Sequence, residues 1–398
     1  MGKMSKRAKK YLSPVLGRYF ADFEVSRGKG CYLFGTDGKK YLDFSSGIAV
    51  CSTGHTHPKI VTAAQKQVKR LIHICIGIAN YEPYVALAEK LSKIVPIKNA
   101  QFFFCQSGAE AIEAAVKLAK YASKKPGLVA MRGAFHGRTL GALSLTTSKM
   151  KYREGYEPLL PNVYIADPDL KAIKKLLKTK KIAAIILELI LGEGGYLVYP
   201  KPFVRGVRKL CDKYQTLLIF DEVQSGVGRT GKWFAAEHFK VRPDILCMAK
   251  GIASGFPLGA VAAGSNLMGK WSPGAHGSTF GGNPICCAAA LATLDVIKKE
   301  KLLQNAARLG NYLKTRLEKL RKKYPIIKEV RGLGLMIGVD FKDSRIVKKI
   351  LNFCLKKGLV LISTGADGTV IRFIPPLIVK KQQIDFALKI FEASLKNV

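Results

Sequence analysis

Asp244-Ile245-Leu246-Cys247-Met248-Ala249-Lys250-Gly251 is a short apolar run closed by a lysine. A continuous apolar run of this length fits a strand covered on both faces. The lysine directly after it is unexpected, because lysine is rarely buried without a role. Desolvation there would lower the pKa of the amine and make its neutral form nucleophilic. Upstream, Leu217-Leu218-Ile219-Phe220-Asp221-Glu222 has the same design with two acids at its end. A carboxylate closing a buried strand needs a partner, which a metal, a salt bridge or a cofactor could supply. Each feature alone is common. An aspartate and a lysine ending two strands of one sheet could grip opposite ends of a planar cofactor.

Around these two runs, short apolar stretches alternate with helical ones. Strands are expected at Gln101–Cys105, Leu128–Arg132, Val163–Ala166, Ile182–Leu187, Leu217–Phe220, Ile245–Met248 and Ala260–Ala263. Between them, Ala109–Ser123 and Pro202–Tyr214 carry apolar residues at helical spacing. This predicts an α/β architecture, a mostly parallel seven-stranded sheet with ligands beyond the strand ends. After Pro284 a helix is expected to Lys299, then a helix over Leu303–Lys323. Strands near Leu333–Phe341 and Leu359–Ile362 and a final helix from Lys381 complete a smaller α+β domain. The expected division is 1–46 as an N-terminal segment packing with the small domain, 47–284 as the large domain and 285–398 as the small domain.

The chain has 398 residues, 48% of them hydrophobic and 24% charged, which suits a globular two-domain enzyme rather than a disordered chain. Its nine cysteines form no C-x-x-C pair, so neither a zinc ribbon nor a redox motif is indicated. Scattered thiols fit a reducing compartment. Met1 to Lys10 is basic but no apolar segment follows it, and Ile182–Leu191 is too short to span a bilayer, so a cytoplasmic protein with no membrane partner is expected. The formal charge of +38 predicts non-specific attraction to polyanions. The lysines are spread along the whole chain without any nucleic-acid-binding signature, so a solvated basic surface is favoured over a specific nucleic-acid function.

Three further motifs bear on the site. Ser107-Gly108-Ala109-Glu110 matches a capping box at a helix start, where free backbone N–H groups can bind phosphate. Gly226-Val227-Gly228-Arg229-Thr230-Gly231 fits G-x-G-x-x-G, but Asp221, Glu222 and Gln224 separate it from the strand, which disfavours a dinucleotide site. His55 and His57 lack a third ligand group, so a turn with polar caps is the reading and no metal site is assigned.

The chain resembles the class III, omega-type aminotransferases of the fold type I pyridoxal 5′-phosphate (PLP) superfamily. The resemblance runs from Tyr32-Leu33-Phe34 and Tyr41-Leu42-Asp43-Phe44 to Arg372-Phe373-Ile374-Pro375-Pro376-Leu377. It implies that Gly108 and Ala109 hold the cofactor phosphate and that Phe135 stacks on the ring. Asp221 would pair with the ring nitrogen, Gln224 with the phenolic oxygen, and Lys250 would form the Schiff base. Thr279, in Gly277-Ser278-Thr279-Phe280-Gly281-Gly282-Asn283-Pro284, would reach the phosphate of a neighbouring subunit, making the enzyme a homodimer. Arg372, Arg138 and Ser278 would face the substrate, with Arg372 on the α-carboxylate of glutamate or 2-oxoglutarate. Glu193 would neutralise Arg372 while an omega-amine donor is bound. The chain departs from the family at Cys105-Gln106 and at Glu188-Leu189-Ile190-Leu191, which bears on the shape of the pocket.

The implied reaction moves an amino group from an omega-amino donor to 2-oxoglutarate. Ile78-Ala79-Asn80-Tyr81-Glu82-Pro83-Tyr84-Val85 and Ala249-Lys250-Gly251-Ile252-Ala253-Ser254-Gly255 lean towards a 4-aminobutyrate-type donor, and the compact length with Gly47-Ile48-Ala49-Val50 suits acetylornithine or ornithine. An amino-acid racemase on the same scaffold is the alternative, and a basic nucleic-acid-binding protein a remote one.

Overall fold

The structure is a computed structural model that describes residues 2–398. Its large sheet contains β1 (Ala100–Cys105), β2 (Gly127–Met131), β3 (Val163–Ala166), β4 (Ile182–Leu187), β5 (Leu217–Asp221), β6 (Ile245–Met248) and β7 (Gly259–Gly264). The spatial order is β1-β7-β6-β5-β4-β2-β3. Strands β2 to β6 pair in parallel, while β7 runs antiparallel to both β6 and β1. Every residue of β4 and of β6 is buried, as expected where helices cover both faces. Side chains alternate between two apolar layers: Leu218 and Phe220 of β5 enter one, Ile219 the other. The helix Lys201–Lys213 buries Phe203, Val204 and Val207 in the first layer, and Gly108–Ser123 packs Ala111, Ile112 and Leu118 into the second.

The expected elements are present, with ends shifted by about one residue, the usual uncertainty of a helix or strand terminus. Two differences are larger. The stretch expected as one strand near Leu333–Phe341 is a hairpin of Ile327–Leu333 and Met336–Phe341. Gly334, at φ +57, makes the tight turn between them. A Cβ there would lie 2.5 Å from the Thr230 backbone, so the turn also needs a glycine to approach its neighbour. The run Leu359–Ile362 splits between two sheets. Leu359–Val360 pairs in parallel with Lys40–Asp43, and Ile362–Thr364 pairs with Val370–Phe373 in the sheet of the C-terminal hairpin. The N-terminal hairpin Val25–Lys29 and Tyr32–Gly35 continues the former sheet.

Among the described residues no helix is long and apolar enough to cross a membrane. The fold is thus a large α/β domain, its sheet reversed only at β7, beside a smaller domain. Strands β5 and β6 lie side by side, with Asp221 opposite Cys247. That register brings Asp221 and the chain leaving β6 to one edge of the sheet.

Candidate active site

Beyond β6 the chain turns sharply. Lys250 takes φ +45, a left-handed conformation that costs a residue with a Cβ about 1–2 kcal/mol. The turn aims it into a cavity of about 430 Å³ that Gly108, Ala109, Phe135, Asp221, Gln224 and Lys250 all help to line. Burial lowers the pKa of the amine, and the charges of Asp221 and Glu188 oppose that shift only in part. An amine held below its ordinary pKa is therefore placed just beyond the strand end.

Asp221 is fixed from two sides. Its Oδ1 accepts from the Val223 N–H at 3.0 Å, and its Oδ2 lies 2.8 Å from His136 Nδ1. His136 is fully buried, and its Nε2 finds no partner among the described residues. His136 follows Phe135 directly in the sequence and carries no expected role there. The signal was its adjacency to a ring expected over the pocket. Gln224 accepts at Oε1 from the Tyr196 hydroxyl at 2.7 Å, leaving its amide nitrogen available.

Ser107 caps the helix Gly108–Ser123 by accepting from Glu110 N–H at 3.2 Å. The reciprocal half of the expected capping box is displaced by one residue: Glu110 accepts from Gln106 N–H at 2.9 Å. The N–H groups of Gly108 and Ala109 make no helical bond, as at any helix start, and both residues line the cavity. A Cβ on Gly108 would stand 2.7 Å from Val223 Cγ1, so the close approach of helix and strand end requires glycine.

The outer end is assembled differently. Arg372, in Val370–Phe373, is fully buried. Its Nη1 meets Glu193 Oε1 at 2.6 Å, and its Nη2 donates to the Tyr19 hydroxyl at 2.7 Å and to the Ser363 carbonyl at 2.9 Å. Burial opposes this charge, yet Glu193, with Tyr196 and Tyr19, holds the guanidinium pKa above its ordinary value. Arg138 is exposed, with its guanidinium 4.5 Å from the centre of the Tyr152 ring, which in turn meets Phe135 edge-on at 5.8 Å. Glu188 lines the cavity and accepts from Phe135 N–H at 2.7 Å and Gly192 N–H at 2.9 Å. Burial raises its pKa. Tyr19, Tyr152 and Glu188 were not assigned to the site from sequence.

Ser278 and Thr279 do not line the cavity of a single chain. Ser278 is bonded to the Gln106 side chain at 2.9 Å, and Thr279 is exposed. His55 and His57 point to different partners. His55 Nε2 meets Asp43 at 2.8 Å, and although burial alone would lower its pKa, Asp43 and Cys51 raise it to about 10. His57 sits 3.5 Å from Glu300. The Gly226–Gly231 stretch opens no helix directly. Its Arg229 is buried and donates to the Leu335 and Pro375 carbonyls, joining the two domains.

These groups suit a planar phosphorylated aldehyde. An amine of lowered pKa stands ready for a carbonyl, a buried carboxylate for a ring nitrogen, and an aromatic face and uncapped helix N–H groups complete the cavity. The chain matches the aminotransferase class-III family over residues 17–395. It is 46% identical to the acetylornithine aminotransferase of Methanocaldococcus jannaschii, covering 95% of this chain and 94% of that one. It is 37% identical to the alanine/serine racemase of Pyrococcus horikoshii, covering 99% and 90%. The ornithine aminotransferase of Toxoplasma gondii, whose active site holds PLP at partial occupancy, superposes with a TM-score of 0.93 at 31% identity, covering 99% of this chain and 94% of that one. The chain belongs to the class-III aminotransferases and is a PLP-dependent transaminase.

Proposed function

We propose that this enzyme moves the omega-amino group of N-acetylornithine, or of a closely related donor, to 2-oxoglutarate and forms glutamate. The observation that carries the reading is the 2.6 Å pair of Arg372 and Glu193 beside a cavity whose lysine senses both charges. With Glu193 in place, Arg372 is neutralised and the outer pocket accepts the uncharged stem of an omega-amine. A dicarboxylate displaces the Glu193 side chain and takes the guanidinium fork itself. Arg138, exposed at the cavity and steadied by Tyr152, is then placed for the other carboxylate. The residue pattern alone leaned to 4-aminobutyrate. The identity to the M. jannaschii acetylornithine enzyme moves the preferred donor to N-acetylornithine.

Bound PLP supplies the electron sink that stabilises negative charge on the substrate carbon. Lys250 Nζ would hold the cofactor, and its amine would carry the proton to and from that carbon. Asp221, oriented by His136 and the Val223 N–H, keeps a proton on the ring nitrogen. The Gly108 and Ala109 N–H groups hold the phosphate, and Phe135 and Gln224 fix the ring. Thr279 serves the phosphate site of a second copy in a homodimer. Its exposure, and that of Phe280 beside it (56%) and of Ile72 and Ile78 (61% and 78%), supports that assignment.

The test is glutamate formation from 2-oxoglutarate with N-acetylornithine, 4-aminobutyrate and ornithine in turn. N-acetylornithine should have the highest kcat/KM. A clear preference for another donor would overturn the substrate assignment. The likeness to the P. horikoshii racemase favours one second reading, inversion of an amino acid without any acceptor. Inversion that proceeds when 2-oxoglutarate is omitted would establish it.

A further inference from the structure

Glu193 and Arg372 are 179 residues apart, yet one short run of chain holds them both. Ser363, Thr364 and Gly365 are consecutive. The Ser363 carbonyl accepts from Arg372 Nη2 at 2.9 Å and from the Tyr19 hydroxyl at 3.1 Å. The Thr364 hydroxyl is shared between the Gly192 carbonyl at 3.1 Å and the Glu193 carbonyl at 3.0 Å. The Gly365 N–H donates to the same Glu193 carbonyl at 3.0 Å. Arg331 Nε holds the far side of the turn through the Gly195 carbonyl at 2.7 Å. Ile362–Thr364 is itself paired to the strand of Arg372, with Ile362 opposite Arg372 and Thr364 opposite Val370.

The backbone of the Gly192–Gly195 turn therefore hangs mostly on the small sheet that carries the arginine. Besides the chain entering it from β4, it is tied to the large-sheet side by the Glu188 carboxylate on Gly192 N–H. With the Glu193 backbone held by the strand beside Arg372, rotation of the Glu193 side chain is enough to open the pair. Thr364 is fully buried and supplies the side-chain hydroxyl that holds the Glu193 carbonyl.

We propose that Thr364 is a positioning residue for substrate discrimination: it fixes the Glu193 backbone so that the carboxylate returns to Arg372 whenever no substrate carboxylate is there. This rests on the exchange of Glu193 for a substrate carboxylate proposed above. Thr364→Val removes the hydroxyl at nearly constant volume, and Thr364→Ser keeps it. Thr364→Ala removes the hydroxyl without placing a methyl against the Gly192 carbonyl, and replaces the valine variant should that fail to fold.

With the PLP-loaded enzyme, Thr364→Val should lower kcat/KM for the omega-amino donor about tenfold, the loss expected for one buried hydrogen-bonding group. The value for glutamate should hold or rise, and Thr364→Ser should restore the donor reaction. Glutarate, a dicarboxylate that cannot react, should bind more tightly to Thr364→Val by titration calorimetry, because Glu193 competes less well for Arg372. In a Glu193→Gln background, Thr364→Val should add less than about twofold, since residues acting through one another are non-additive. Equal losses for donor and glutamate, unchanged glutarate binding, or full additivity with Glu193→Gln would each overturn the assignment of Thr364. If Glu193→Gln alone leaves the ratio of donor to glutamate unchanged, the exchange mechanism itself fails, and Thr364 is then only structural.

Discussion

The two ends of this active site are built on different principles. The cofactor end is built on one sheet: Asp221 and Lys250 close adjacent parallel strands, and the helix start at Gly108 lies across from Val223. The substrate end is gathered from afar. Arg372 bonds Tyr19 across 353 residues of chain, and Glu193 is held by Thr364 across 171. One end is fixed by buried sheet geometry, as a common chemical step demands. The other depends on a few side-chain bonds between segments, so its substrate preference can change without disturbing the sheet.

The sharpest way to break this contrast is at Lys250. Lys250→Met should reduce turnover by more than about 10⁴-fold, because under the proposed mechanism it removes both the covalent anchor and the proton carrier. The same variant has a stability signature in cofactor-free protein. Burial depresses the amine pKa below its ordinary 10.5, so between the folded value and 10.5 the unfolded chain binds a proton that the folded chain lacks. Stability of the native protein should therefore rise with pH through that window, and denaturant melts of Lys250→Met should lack that rise.

Asp221→Asn tests the same end from the ring side, with an expected loss in kcat on the order of 10³-fold. It should fall on all donors alike, because the group serves the cofactor. At the other end, Arg372→Met should cost about 10²-fold in kcat/KM for 2-oxoglutarate and much less for the omega-amino donor, measured as separate half-reactions. Tyr19→Phe removes one hydrogen bond to the same guanidinium, so about tenfold is expected for 2-oxoglutarate. The smallest effect is at the helix cap. Ser107→Ala should lower stability by about 1 kcal/mol in a denaturant melt, with little change in substrate preference. Donor-selective losses at Asp221, or uniform losses at Arg372 and Tyr19, would erase the distinction between the ends.

The same division decides what could be read from the sequence. Strand β6 and Lys250 were legible because a buried strand is a continuous apolar run and its closing residue stands out. Asp221 was legible on β5 for the same reason. Arg372, Glu193 and Arg138 were reached only through the family resemblance, since a single arginine in a strand carries no local mark of its partner. Tyr19, Tyr152 and Thr364 were out of reach, because their roles exist only once distant segments pack together. His136 stands next to Phe135 but was out of reach, because its partner is a carboxylate 85 residues away. The split of Leu359–Thr364 between two sheets likewise depends on which edges the rest of the fold leaves open.

The most direct test of the account is to incubate the protein with PLP, reduce with borohydride and map the labelled peptide by mass spectrometry. The account predicts a single modified site at Lys250, with labelling abolished in Lys250→Met. Stoichiometric labelling elsewhere, or none at Lys250 in folded protein, would contradict it.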